Sequence, residues 1–155
     1  MGEIMSVEYN FQIKIVKKEN KELLATNIIE SLVNAGWSLF SGDNNIIYTD
    51  IGDNDNFDFN ARNIAKDEFY NIVQQKQLQC ETIAFAMFYT ESNCRYRIDI
   101  IITSDFEIIF SPDDITKKLL SAKFELLDVN WYFSKILPYL TNPNMSVESF
   151  SFCKN

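Results

Sequence analysis

The segment from residue 5 to residue 15 alternates apolar and polar side chains without a break. Its apolar positions are Met5, Val7, Tyr9, Phe11, Ile13 and Ile15. Because successive side chains of a β-strand point to opposite faces, this period of two predicts a strand with one buried face and one solvated face. The polar face indicates a sheet that is covered on one side only, as is common in antiparallel sheets.

Helical periodicity marks three later regions, at 20–35, 64–78 and 112–140. Gly36 stands where a left-handed residue is expected after the first helix. The run Ser111-Pro112-Asp113-Asp114 predicts the start of the third region, with Ser as N-cap, Pro in the first turn and carboxylates near the positive end of the helix dipole. We expect one or two helices there, the stronger beginning at Asp128.

Strand patterns occupy much of the remaining chain, and residues 52–63 form a polar loop. Further strands are predicted at 37–40, 46–51, 82–90, 95–103, 106–110 and 147–152. The predicted order is β-α-β-β-α-β-β-β-α-α-β. This order favours a single α+β domain over residues 1–155, with a mostly antiparallel sheet of about five to seven strands and about three or four helices.

The composition predicts a folded domain in the cytoplasm. A chain of 155 residues with 46% hydrophobic residues is long enough to bury a core. Its first residues lack the basic and apolar regions of a secretory signal, and no apolar run reaches the length of a membrane span. Since the chain has three scattered cysteines and no export signal, we expect reduced thiols in the cytoplasm.

Negative charge is concentrated in two short stretches, 41–60 and 104–114, neither of which contains a basic residue. The rest of the chain is close to neutral, although the net charge is −8. Such a surface repels phosphate backbones and anionic lipids and attracts basic proteins, so nucleic-acid and membrane partners are disfavoured. The predicted partner-binding residues are Asp43, Asp50, Asp53, Asp55, Phe57, Asp58, Phe59, Asp105, Glu107, Asp113 and Asp114.

Two phenylalanines interrupt the first acidic stretch, and each has two interpretations. Phe57 and Phe59 either pin a loop to the core or serve as aromatic anchors inside an acidic rim, the composition of an interface hot spot for a basic partner. The aspartates likewise either bind a partner or only populate turns and maintain solubility. As loop residues, Asp53, Asp55 and Asp58 are expected to accept exchange for Lys without loss of the fold.

The residues that most enzymes use are missing. The chain has no histidine, which removes the usual general base and excludes Ser–His–Asp and Cys–His arrangements. Its four glycines cannot form a dinucleotide fingerprint or a Walker loop. The run from Asp53 departs from a calcium loop, because Phe57 takes a ligand position and Asp58 the position of the required Gly. We therefore predict a protein that is not an enzyme and uses no metal or cofactor.

A small acidic chain that is rich in Asn, Ile and Phe and lacks catalytic equipment resembles the bacterial immunity proteins. These proteins neutralise polymorphic toxins, including those of contact-dependent growth inhibition systems. The resemblance lies in the character of the whole chain and not in a signature motif. It implies a tight complex with the C-terminal domain of one cognate toxin, often a nuclease, whose active site the immunity protein covers or flanks. Because a nuclease holds phosphates on a basic surface, an acidic inhibitor would match it.

Three other functions stay open. A DNA-mimic inhibitor would also need dense carboxylates, but spread over one face like phosphates. An enzyme could work with Asp and Glu alone. A structural or assembly subunit could form a homodimer through an exposed sheet edge, and the same edge could accept a strand of a toxin.

Overall fold

The computed structural model describes residues 9–121, 123–124 and 126–154. Its main strands are β1 (Tyr9–Lys17), β2 (Ile46–Thr49), β3 (Phe59–Arg62), β4 (Ile83–Glu91), β5 (Cys94–Ile102), β6 (Glu107–Pro112) and β9 (Met145–Lys154). The helices are α1 (Ala25–Asn34), α2 (Lys66–Leu78) and α3 (Val129–Ile136), with a 3-10 turn over Leu137–Tyr139 after the last. Two short strands, β7 (Leu119–Ser121) and β8 (Leu126–Leu127), form a hairpin before α3.

The seven main strands form one sheet in the order β3-β2-β4-β5-β6-β1-β9. Every neighbouring pair in this sheet is antiparallel. The turn between β4 and β5 has Ser92 and Asn93 at φ 51° and 65°, the left-handed conformation that tight hairpins require. The prediction of a single α+β domain with a mostly antiparallel sheet is confirmed.

The three helices cover one face of the sheet. Along β1, Phe11 and Ile13 are 1% exposed, whereas the alternating Gln12 and Lys14 are only partly buried. The ring of Phe11 packs against Tyr132 of α3, with centroids 5.7 Å apart. The prediction of a strand with one buried face and one solvated face is therefore confirmed for residues 9–15. Residues 5–8 lie outside the described residues.

Five aromatic side chains pack together at the end of the sheet that holds the β4–β5 turn. Trp131 is central: its ring centroid lies 6.0 Å from that of Trp37, 5.4 Å from Tyr89, 5.0 Å from Tyr96 and 4.9 Å from Tyr132. The indole N–H of Trp37 donates to the carbonyl of Lys135 at 3.0 Å. We call this group the tryptophan cluster.

The region 112–128 differs from its prediction, because the residues of it that the structure describes form turns and short strands and no helix. Pro112 ends β6, and the hydroxyl of Ser111 donates to the side chain of Asn10 at 2.7 Å instead of capping a helix. The carboxylate of Asp113 accepts the backbone N–H groups of Ile115 and Thr116, which closes a turn. The second helix was placed correctly: Asp128 accepts the N–H of Trp131 at 3.2 Å and caps α3.

Other helix and strand boundaries differ from their predicted positions, and tertiary contacts account for the differences. Helix α1 begins at Ala25 and not near residue 20, because the side chain of Gln77 on α2 accepts the N–H of Ala25. Residues 59–62, predicted as loop, form β3, whose polar side chains find partners on β2 and Asp50. Residues 37–40 make isolated bridges only, and Gly36 has the expected positive φ, 110°.

Candidate functional site

Antiparallel pairing divides the predicted partner-binding residues between two ends of the sheet. One end, the loop end, holds the β2–β3 connection and the β5–β6 turn; the other, the hairpin end, holds the β4–β5 turn and the last residues of β6. The loop end carries Asp50, Asp53, Asp55, Phe57, Asp58, Phe59, Asp105 and Glu107. The hairpin end carries Asp43, Asp113 and Asp114. The two acidic stretches therefore do not form one surface, since β6 divides the second.

Asp53 organises the acidic loop, which we define as residues 50–58. Its carboxylate accepts the backbone N–H groups of Asn56, Phe57 and Asp58 at 3.1, 3.0 and 2.8 Å. These donors, that of Asp58 first, hold the pKa of Asp53 below its ordinary value. Asp53 is thus a structural carboxylate, and exchanging it for Lys would remove three hydrogen bonds of the loop, while survival of the fold after this exchange stays a prediction.

Lys76 fastens the acidic loop to helix α2. Its side chain is 1% exposed, and its ammonium donates to the carbonyls of Asp50 and Asp53, the latter at 2.8 Å. The carboxylate of Glu81 lies 3.3 Å from the same ammonium and accepts the N–H of Gly52 at 2.7 Å. Because a buried charge is tolerated only when its hydrogen-bonding groups are satisfied, these partners explain how Lys76 can occupy the interior.

Asp50 forms an ion pair with an arginine of the neighbouring strand. The guanidinium of Arg62 on β3 binds both its oxygens, with Nη2 3.0 Å from Oδ2. Asn60 donates to the same carboxylate at 3.1 Å, and Arg62 also donates to the hydroxyl of Tyr48. These bonds join Asp50 to β3 and offset its charge, while the side chains of Asp50 and Arg62 stay 42% and 46% exposed.

The outer part of the acidic loop keeps its charge. Asp55 and Asp58 are exposed and form no ion pair with any described residue. Phe57 is 36% exposed and lies outside the hydrophobic core, whereas Phe59 is half-buried in β3 opposite Thr49. The loop therefore presents two unpaired carboxylates and one aromatic ring on a backbone that Asp53 and Lys76 hold in place.

At the loop end, the second acidic stretch is opposed by a lysine. Lys14 of β1 lies 3.5 Å from the carboxylate of Asp105, and the β1–β6 register sets it opposite Glu107. A hydrogen bond from Thr103, and then the charge of Lys14, lower the pKa of Asp105. These acids contribute less to the surface field than their number in the sequence predicts.

At the hairpin end, Asp114 pairs with Lys117 at 2.9 Å, and Asp113 is occupied by the turn it closes. Asp99 of β5 lies nearby, 2.9 Å from the guanidinium of Arg97. Burial raises the pKa of Asp99 above its ordinary value, although Arg97 opposes the shift. Asp99, Asp113 and Asp114 line a surface cavity of about 210 Å³ together with Tyr9.

Within the described residues, no group of three or more acidic or cysteine side chains is arranged to hold a metal ion. The three cysteines are exposed and free. None of the described helices has the length and apolar character needed to cross a membrane.

Sequence analysis missed the two cations that shape the acidic loop, Arg62 and Lys76. The burial of Lys76 could have been predicted, because Lys76 continues the apolar stripe of α2 at helical spacing from Phe69 and Val73. A lysine at a core position is either paired or functional. No sequence pattern predicted the role of Arg62, since a loop whose shape could not be predicted separates it from its partner Asp50.

The chain matches no family profile, no curated protein and no solved structure.

Proposed function

We propose that this protein is a non-catalytic cytoplasmic binding protein of the immunity type, which neutralises one cognate toxin domain by covering its basic surface with the acidic loop. The supporting observation is the exposed ring of Phe57 beside the unpaired carboxylates of Asp55 and Asp58. Nuclease domains offer the matching surface, because they bind phosphates through Lys and Arg.

The construction of the loop favours tight binding. A loop that is already ordered loses less conformational entropy when it docks. Asp53 orders the tip through three backbone hydrogen bonds, and Lys76 holds its base. The unpaired carboxylates would raise the association rate, and a central aromatic ring would slow dissociation by filling a pocket. Asp50 and Asp53 then act as scaffold and not as contacts.

The proposed function predicts that a large secreted protein is encoded directly upstream of this gene, and the purified C-terminal domain of that protein is the probe for the test. Exchanging Asp55 and Asp58 together for Lys should slow association about tenfold at low salt and flatten its salt dependence. The matched control exchanges Asp43 and Asp114 for Lys, which gives the same change of charge at the hairpin end. Stopped-flow association at several salt concentrations measures both variants.

Equal effects of the two double variants would contradict the assignment to the loop end, because net charge alone would then set the rate. No complex between the wild-type chain and the probe, together with no protection of a bacterial host that produces the toxin domain, would overturn the proposed function. Circular dichroism of each variant shows whether the fold is retained.

A further inference from the structure

The ammonium group of Lys76 is surrounded by three oxygen atoms beneath the acidic loop. It donates to the carbonyl of Asp50, lies 2.8 Å from the carbonyl of Asp53 and lies 3.3 Å from the carboxylate of Glu81. We call these three oxygens the oxygen cage. Because a lysine ammonium carries three N–H donors and no acceptor, the oxygen cage supplies one acceptor for each donor.

The charge of the oxygen cage also suits a monovalent cation. Among its three residues, Glu81 alone contributes a carboxylate. The carboxylate of Asp50 pairs with Arg62, and that of Asp53 accepts backbone N–H groups of the loop. One negative charge therefore opposes one positive charge. A calcium ion takes about six to eight oxygen ligands, which is more than the oxygen cage supplies.

Each residue of the oxygen cage is held by a bond that is independent of the ammonium. Arg62 binds the side chain of Asp50, and the side chain of Asp53 closes a turn onto the backbone that follows it. The carboxylate of Glu81 accepts the N–H of Gly52 at 2.7 Å. Because these bonds remain when the ammonium is removed, the cage should keep its shape, and a preorganised site binds its ligand at a lower entropic cost.

Lys76 reaches the oxygen cage from the buried side of α2. Its side chain is 1% exposed, and Phe69 and Val73 on the same side of the helix are buried as well. Exchange of Lys76 for Ala would remove three carbons and the nitrogen, and would leave a channel that ends at the cage. Since alanine suits the interior of a helix, α2 itself should persist.

We propose that the acidic loop is built on a binding site for a primary ammonium ion, and that Lys76 fills this site from within the chain. When the lysine side chain is shortened, a free alkylammonium ion takes its place and orders the loop again. The site lies beneath the loop, whereas the proposed function concerns Asp55, Phe57 and Asp58 on its outside. The proposal therefore does not depend on the proposed function.

Propylammonium contains the atoms that Lys76→Ala removes, and it is the probe for the test. Urea is the denaturant, because guanidinium is itself a cation. The urea midpoint of the variant should rise with the concentration of propylammonium chloride. The ratio of folded to unfolded variant should increase about tenfold when the ion reaches roughly ten times its dissociation constant. Hydrogen exchange of the amides of residues 52–58 should slow over the same range.

Two controls separate binding in the oxygen cage from other effects. Tetramethylammonium chloride has the same charge but no N–H donor, so at equal ionic strength it measures the general effect of salt. Lys76→Met fills the channel with an uncharged side chain of similar length. Propylammonium should therefore stabilise this variant, and the wild type, no more than tetramethylammonium does.

If Lys76→Ala is unfolded in buffer, the titration is repeated in sucrose, which favours compact states because it is excluded from the protein surface. A larger response to propylammonium than to tetramethylammonium in either solution supports the proposal, whether or not the chain binds a toxin domain. Equal responses to the two ions, or no response in both solutions, overturn it. An equal response of Lys76→Met to propylammonium overturns it as well.

Discussion

The two acidic stretches look alike in sequence, but the fold uses them differently. In the acidic loop, the carboxylate of Asp53 accepts backbone N–H groups and that of Asp50 pairs with Arg62, whereas Asp55 and Asp58 have no counter-ion among the residues that the structure describes. In the second stretch β6 places the carboxylates at opposite ends of the sheet, where Lys14 of β1 pairs with Asp105 and Lys117, three residues further along the chain, pairs with Asp114. The difference shows that counting charges along the chain does not measure the field at the surface.

Whether a lysine leaves the nearby surface carboxylates unpaired depends on its position relative to the surface. Lys76 lies beneath the acidic loop and binds carbonyl oxygens, so it fixes the backbone while the outer carboxylates stay unpaired. Lys14 lies on the exposed side of the sheet and binds Asp105 itself. One cation supports an acidic surface from below, and the other cancels it.

The largest expected effect is a difference in the free energy of unfolding between variants of these two lysines. Lys76→Met leaves Glu81 and two loop carbonyls without their donor in a buried site, and should lower the free energy of unfolding by about 3–5 kcal/mol. Lys14→Met removes a surface pair and should cost less than about 1 kcal/mol. Urea unfolding followed by far-ultraviolet circular dichroism measures both. Similar losses would mean that Lys76 is not the anchor of the loop.

Two phenylalanines give the next contrast, since each acidic stretch has one with a positive φ: Phe57 at 54° and Phe106 at 61°. Phe57→Gly removes an exposed ring and relieves the backbone, so stability should change by less than about 0.5 kcal/mol. Binding of the toxin domain should weaken by about 2 kcal/mol.

Phe106 packs against the core, and Phe106→Gly should instead lower stability by at least about 1 kcal/mol and leave binding unchanged. Calorimetric titration and urea unfolding of both variants decide the comparison. The assignment of Phe57 as an anchor fails if its loss leaves the affinity unaltered.

The smallest effect is a difference in pH and salt response. Because the pKa of Asp53 is lowered in the folded chain, its ionised form adds stability above the unfolded value near 3.8, and that stability is lost as the pH falls through the lower folded value. Asp53→Asn should therefore be less stable than wild type at neutral pH and equal to it in acid. Asp105→Asn should behave likewise, but its effect should shrink with added salt, since Lys14 contributes to the shift. Unfolding curves over pH at two salt concentrations test this.

Sequence periodicity predicted the elements whose burial is regular. β1, β5 and β6 were found from alternation or from runs of isoleucine, and β4 from a short apolar run that ends at turn residues. The region 112–128 was mistaken for helix because Pro112 and Asp113 suit a helix start as well as a strand end followed by a turn. The choice between them depends on Asn10 and Arg97, which lie far away in sequence.

The position of the acidic loop in the chain was predictable, but the pairing of its carboxylates was not. The acidic loop was identified from its aspartates and from Phe57, which lies exposed. Which carboxylates stay unpaired depends on Arg62, Lys76 and Lys14, and these reach the loop or turn from β3, α2 and β1. Such partners follow from the tertiary fold and cannot be read from local sequence.

The tryptophan cluster has a practical consequence for experiments. The chain has two tryptophans, and both belong to this cluster at the hairpin end, with centroids 6.0 Å apart. Intrinsic fluorescence therefore reports on the helix-covered interior of that end and is blind to the acidic loop. A variant that opens the loop alone would show unchanged emission while its loop amides exchange faster with deuterium, so the two signals together distinguish local opening from global unfolding.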